Sequence, residues 1–138
     1  MYDGEMQGLY HAAREALKFS PVAFDLRKAE LVLEQLIETA THRKWRLSAV
    51  SIMATHFHAV IHAPHEIDPD RLLGDLKAWA SRKLNRTLGD AVAEEWWTEG
   101  GSKRPLYDDA AILDAIEYTL FKQADSLVVW CAERGRLV

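Results

Sequence analysis

Residues 45–62, WRLSAVSIMATHFHAVIH, decide the fold. Residues 45–53 set β-branched and aromatic side chains in the short alternation of a strand, and residues 56–62 repeat it after only Ala54 and Thr55. The stretch therefore predicts two antiparallel strands joined by a tight turn. That turn lacks the Asn-Gly or Asp-Gly pair that two-residue hairpins prefer, which leaves its geometry open.

Upstream of the hairpin, Asp25 can cap a helix running to about Arg43, in which Leu26, Ala29, Leu33, Leu36, Ile37 and Ala40 recur at helical spacing. Ser20-Pro21 breaks the pattern before it, because the residue preceding a proline is pushed out of the helical region. A first helix is expected within residues 5–18, and no strand is evident before it. The sheet is then either short at that edge or completed by the tail SLVVW (126–130). Downstream, Asp68-Pro69 opens a helix expected to reach about Arg86, a capping side chain being followed by a proline at the first helical position. In EWWTEGGSKRPLY (95–107), Gly100-Gly101 separates two short runs that could pair as a second, irregular hairpin. Asp108 or Asp109 can cap a last helix to about Lys122, with Ile112, Leu113, Ile116 and Leu120 on one face. SLVVWC (126–131) reads as a short strand or a docked extended segment. Helices and adjacent strands in this order indicate an α+β protein with a central antiparallel sheet.

At 138 residues the chain is expected to form one domain, 1–138, and to bury a core without staples. The lone Cys131 excludes an internal disulfide framework and a four-cysteine zinc site. No run of 18 apolar residues and no basic-then-apolar amino terminus occurs, so a cytoplasmic protein without a membrane partner is expected. Seventeen Lys plus Arg against 21 Asp plus Glu give a net charge of −4, which argues against coating nucleic acid by bulk charge. Local charge differs. LKAWASRKLNR (76–86) holds Lys77, Arg82, Lys83 and Arg86 with no acid, and is the expected place for a polyanion.

The chemistry concentrates in HFHAVIH (56–62). Residues two apart in a strand share a face, so His56, His58 and His62 project to one side, and two neighbouring neutral imidazoles make a bidentate platform for a divalent metal. Ordinary partly exposed strand histidines would give the same short motif. A gapless alternation of three histidines, as in histidine-triad hydrolases, would need histidine at position 60, where the chain has Val60. No P-loop, dinucleotide-binding glycine pattern or nucleophile elbow is present. Tyr118 falls outside the apolar arc of the last helix and should be accessible, as inert surface or as a reactive phenol. Trp79, Trp96 and Trp97 read as core residues or as stacking platforms for unpaired bases.

WRLSAVSIMATHFHAVIHAP (45–64) resembles the HUH signature of single-tyrosine transposases, the group that includes REP-associated tyrosine transposases. The downstream order is similar too: a basic helix (LKAWASRKLNR), a tryptophan stretch with a glycine turn (EEWWTEGGSKRPLY) and a helix bearing the tyrosine in AIEYTLFKQ, so that the resemblance covers roughly residues 10–124. It implies a ferredoxin-like central antiparallel sheet with packed helices, and a metal-dependent single-stranded DNA endonuclease that forms a 5′-phosphotyrosine intermediate. Carried over residue by residue, His56 and His58 match ligands of Mg²⁺ or Mn²⁺, Tyr118 matches the nucleophile, and Gln123 or water supplies a third ligand. Single-stranded or hairpin DNA and a second copy in a homodimer are the implied partners, with Lys77, Arg82, Lys83 and Arg86 expected to track phosphates.

Three departures qualify the match. Ala54-Thr55 stands where the family commonly has a Pro-Asn-like pair, and Lys122 where it often has a Gln or Asn four residues after the tyrosine. Gln123 comes one residue later, about 140° further round a regular helix, and can join Tyr118 only if the helix is bulged or has ended. Lys122, the acidic net charge and the missing first strand leave an alternative: a transposase-derived nucleic-acid binding protein without cleavage.

Overall fold

A computed structural model of the chain describes residues 8–17, 24–89, 96–98 and 101–137. Its elements are β1 (Gly8–Ala16), α1 (Leu26–Arg43), β2 (Arg46–Ile52), β3 (His56–Pro64), α2 (Pro69–Leu88), β4 (Ser102–Leu106), α3 (Asp109–Phe121), β5 (Val128–Cys131) and β6 (Gly135–Arg136). The strands form one antiparallel sheet in the order β4-β1-β3-β2-β5-β6.

The β2–β3 hairpin forms where the alternation predicts it, with one register shift between Leu47 and Ala49. Its turn is closed by Met53 N–H donating to the His56 carbonyl at 2.8 Å. The carbonyls of Ala54 and Thr55 accept from the N–H groups of Phe24 and Leu17, both at 2.7 Å, so the chain on either side of residues 18–23 fastens the turn. All three helices begin on the expected aspartates: Asp25 accepts from Lys28 N–H at 2.9 Å, Asp68 from Asp70 N–H at 3.0 Å and Asp108 from Ala111 N–H at 2.7 Å.

The expected first helix is instead a strand. Gly8–Ala16 is β1, near the middle of the sheet, hydrogen-bonded to β3 on one side and β4 on the other. The Ala, Arg and Glu in GLYHAAREA favour a helix intrinsically, but pairing along both edges overrides that preference. The sheet therefore has its opening strand, and the tail, as β5, pairs with β2 on the far side of the hairpin. The second hairpin is corrected as well: β4 pairs with β1, while Trp97 forms an isolated bridge with Leu17. Ser20-Pro21 and Gly100 lie outside the described residues.

Alternation divides the core between the two faces of the sheet. Phe57, Ala59, Ile61 and Ala63 of β3 face α1 and α2 and pack with Val32, Leu36, Leu72 and Leu76. Trp96 and Trp97 belong to this layer, buried against Phe24 and Phe57, with their indole N–H groups donating to Asn85 and to Ser81 and the Lys77 carbonyl. They are core residues rather than exposed platforms. On the other face Tyr10, Ala49, Val60 and Leu106 pack against Ile112 and Ala115 of α3. Leu113, expected on the buried side, is 58% exposed; Thr119 takes its place on the docking face.

Candidate active site

Strand register sets a line of side chains across the α3 face. Arg14 of β1 lies opposite His58 of β3 on one side and Ser102 of β4 on the other, and His58 lies opposite Ser51 of β2. His56 is one step along the same face, and its ring stands 5.3 Å from that of His58, centroid to centroid, at 74°. Above them α3 buries Ile112, Ala115 and Thr119, which leaves Tyr118 on its flank, half exposed, with its ring 5.9 Å from the His58 ring at 71°. The structure thus brings together, within one chain, the histidine pair and the tyrosine singled out in the sequence.

Both imidazoles are kept neutral. Burial lowers the His58 pKa to about 4, with the charges of His56 and Arg14 adding to the effect. His56 is lowered by burial and by Arg14. The Thr55 hydroxyl lies 3.1 Å from His56 Nδ1, and in the tautomer that donates from Nδ1 it leaves the Nε2 lone pair free for a ligand. Thr55, half of the pair that departs from the family pattern, thus stands where it can orient His56. Val60, His58's neighbour on this face, packs with Leu106 and Ile112, whereas His62 stands beyond it, buried with its ring 4.6 Å from that of Tyr10. The third histidine is therefore part of a different environment, and the triad-like grouping does not form. Among the described residues no cluster of three or more His, Cys, Asp or Glu could hold a metal. Any ion on His56 and His58 would need an amide, a hydroxyl or water to complete its shell.

Two polar side chains of suitable chemistry carry a buried atom without a hydrogen-bond partner. Ser51 Oγ, on the strand beside His58, and the Gln123 side-chain nitrogen are buried without a hydrogen-bond partner. Because nitrogen and oxygen of an amide are interchangeable assignments, Gln123 can equally offer its carbonyl oxygen. α3 ends at Phe121, so Gln123 lies past the helix and is not bound by its 140° offset from Tyr118. Lys122 caps the helix and points outward, 3.9 Å from Glu117 in an exposed pair. Amide, hydroxyl or water oxygens beside the two imidazoles would give a mixed nitrogen and oxygen set, the oxygens being the donors that suit Mn²⁺ or Mg²⁺.

The basic run sits elsewhere. α2 packs on the opposite face of the sheet, and Lys77 is turned inward: its ammonium forms an ion pair with the fully buried Glu15 carboxylate and donates to the Thr98 carbonyl at 2.9 Å. Arg82 lies over the Trp79 ring at 4.6 Å, and Arg82 and Arg86 are exposed with Lys83 half-buried. None of the four lines the cleft beside Tyr118. That cleft, of about 190 Å³, is lined instead by Arg14, His58, Ser102, Arg104, Tyr118 and Thr119. A larger hollow of about 480 Å³, beside His42, Arg43 and Trp79, is on the α1 and α2 side, across the sheet from His56 and His58. Arg14 and Arg104 escaped the sequence reading, the first because its strand was read as helix. Their signal is alternation: Arg14 and His58, like Ala12 and Arg104, are cross-strand neighbours.

Residues 21–101 match the family described as "Transposase IS200 like", a span that holds the histidine hairpin and α2 but not Tyr118. Among solved structures the fold is similar to that of a REP-associated tyrosine transposase bound to a REP hairpin (TM-score 0.62, 10% identity, 83% of this chain). The chain spans 65% of that structure's length. It is also similar to a candidate transposase from Deinococcus radiodurans R1 (TM-score 0.62, 18% identity, 86% of this chain and 96% of the other). No curated protein sequence matches. No described helix is long and apolar enough to cross a membrane. With its match running over more than half of its length, the chain belongs to the IS200-like transposase family, a family of DNA-transposing enzymes.

Proposed function

We propose that the chain nicks and rejoins single-stranded DNA, with Tyr118 as nucleophile and His56 and His58 as the ligands of one Mn²⁺ or Mg²⁺. The observation that carries this reading is the 5.9 Å approach of the Tyr118 ring to the His58 ring within a single chain. The phenol oxygen attacks phosphorus and forms the tyrosine–phosphate bond, while the bond to the 3′ oxygen breaks and that oxygen leaves with its electron pair. The phenol proton passes to solvent, and the released 3′ oxygen takes one up. A divalent ion, when bound, polarises the phosphate and favours the phenolate, whose ordinary pKa near 10 makes it scarce at neutrality. His56 and His58, being neutral, would hold that ion, with Gln123 or water as a third ligand. Joining is the reverse attack, by a 3′ hydroxyl on the phosphotyrosine.

Hairpin DNA, the partner in the REP-associated structure, is the expected source of the strand. Arg82, Lys83 and Arg86 are proposed to hold its flanking part from the other face. Work on chromosomal DNA fits a cytoplasmic protein. A homodimer is proposed as the working unit, though each copy carries His56, His58 and Tyr118 close enough to act without exchange.

The test is incubation with Mn²⁺ and labelled oligonucleotides tiling the DNA that flanks the coding sequence, followed by denaturing gels. A slow-migrating covalent adduct should appear and vanish in Tyr118→Phe. Cleavage that survives Tyr118→Phe would assign the nucleophile elsewhere; tight binding with no cleavage would favour a transposase-derived binding protein.

A further inference from the structure

We propose that Arg14 and Arg104 form a phosphate clamp at the mouth of the Tyr118 cleft, gripping two neighbouring phosphates of a DNA single strand laid across β1 and β4. The proposal rests on the reading of that cleft as the DNA-cleaving site. Register puts both guanidinium-bearing residues on the α3 face: Arg14 pairs with His58 and Ser102, Arg104 pairs with Ala12 two residues along. Such diagonal neighbours stand roughly 7–8 Å apart, their Cβ atoms somewhat closer, a spacing that two long side chains can open or close to meet successive phosphates.

Of the described exposed cations that carry no ion pair, Arg14 and Arg104 are the two that line the Tyr118 cleft. Arg43 pairs with Asp75, Lys77 with Glu15, Lys103 with Asp70 and Arg136 with Glu30. Among the described residues Arg14 and Arg104 form no ion pair. Both are exposed, and both line the cleft with Tyr118. In a chain with an excess of four acids, two adjacent cations left without carboxylates concentrate positive potential at one point. The neighbouring histidines are neutral and contribute none of it.

The cleft's size admits a backbone phosphate. Small side chains, Ala12, Ala115 and Ser102 among them, line it, and its volume of about 190 Å³ is roughly six times the ~30 Å³ share of a liquid water. A phosphodiester with a few waters fills such a space. Arginine suits the task because its planar fork donates two parallel hydrogen bonds to one phosphate and fixes its orientation, which an ammonium does not. Arg14, cross-strand to His58, would hold the phosphate that Tyr118 attacks, and Arg104 the adjacent one. The pair then sets the direction in which the strand crosses the sheet.

Binding of a fluorescein-labelled oligothymidylate to the full chain, followed by anisotropy in EDTA across a salt series, tests the clamp without any cleavage. Each phosphate contact contributes about 0.7 to the log–log salt slope on a single strand. R14Q/R104Q should flatten the slope by about 1.4, and R104Q alone, on an edge strand where folding is least at risk, by about 0.7. R14K/R104K keeps both charges and should restore the slope, which a misfolded protein would not do. An unchanged slope in R14Q/R104Q and R104Q overturns the clamp. Adduct formation by the unmodified chain, measured in parallel, separates the two readings: an adduct with unchanged slopes refutes the clamp alone, and flattened slopes with no adduct refute the cleavage reading alone.

Discussion

The Tyr118 ring approaches the His58 ring edge-on at 5.9 Å although 60 residues separate them in the chain. Two independent placements meet there. β3 sits inside the sheet between β1 and β2, which fixes His58. α3 docks by Ile112, Ala115 and Thr119, which rotates Tyr118 to the rim rather than into the core. A phenol at the rim is open to a DNA strand, while the imidazole below it is sheltered enough to stay neutral.

The histidine pair is expected to bind one Mn²⁺ per chain. His56→Ala and His58→Ala should each abolish that site in a calorimetric titration, whereas His62→Ala should leave it, because Val60 and its packing with Leu106 and Ile112 intervene. Thr55→Ala removes the hydroxyl beside His56 Nδ1 and should weaken binding by about 10–100-fold, the usual effect of losing a partner that orients a ligand. Loss of the site in His62→Ala equal to that in His56→Ala would refute the pair.

Acid should act on the fold through the same residues. The folded pKa of His58, about 4, lies below its ordinary 6.5, so the unfolded chain binds more protons between these values. Its contribution to stability is complete above pH 6.5 and is lost as pH falls through 4. With allowance for partial exposure, the loss is on the order of 2 kcal/mol. Urea unfolding across this window should show the fall, and His58→Gln should flatten it. Mn²⁺ affinity should likewise fall only at a pH below that of ordinary imidazoles, since protons compete late for depressed ones; an affinity already halved at pH 6.5 would contradict the neutral pair.

The hairpin, both central helices and the last helix were legible because each announces itself locally: alternation in 45–62, and an aspartate cap before a 3.6-residue apolar period. β1 was not. Its residues have helical preferences, and only pairing with β3 and β4, which are distant in the chain, makes it a strand. Misreading β1 hid Arg14, and with it the charge beside His58. The +4 run of α2 is plain along the chain but says nothing about which face of the sheet it occupies, and Lys77 is turned inward to a carboxylate on β1. The sequence lets Gln123 join Tyr118 only if the helix is bulged or has ended, and α3 ends two residues before it.

Lys77 is expected to govern stability rather than DNA binding. Its side chain is 17% exposed and that of Glu15 is wholly buried, with Thr98 Oγ1 donating to the same carboxylate at 3.2 Å. Lys77→Ala leaves a buried carboxylate without its cation, a change that costs about 3–5 kcal/mol in comparable sites. Gly101 packs against this pair as well: at φ +76°, a Cβ there would fall 2.6 Å from Glu15 Oε2. Thermal unfolding should therefore show a large drop for Lys77→Ala and for Gly101→Val. If Lys77→Ala instead keeps its melting temperature and loses affinity for oligothymidylate, the residue belongs to the DNA surface after all.

The remaining cations of α2 should distinguish flanking DNA from the reactive strand. Arg82, Lys83 and Arg86 occupy the face of the sheet opposite Tyr118, and Arg82 is held over the ring of Trp79, itself 37% exposed. A strand short enough to lie in the Tyr118 cleft cannot also reach that face, whereas a hairpin stem extending past the sheet edge can. R82Q/K83Q/R86Q should therefore bind oligothymidylate with the salt slope of the unmodified chain, and should bind a hairpin-bearing oligonucleotide with a flatter one, by up to about 2.7 at 0.9 per duplex phosphate. Trp79→Ala should reproduce part of the loss by freeing Arg82 from its stacked position. Equal flattening with both probes would mean that the single strand itself wraps to α2, and no effect with either would leave the run as an ordinary solvated helix face.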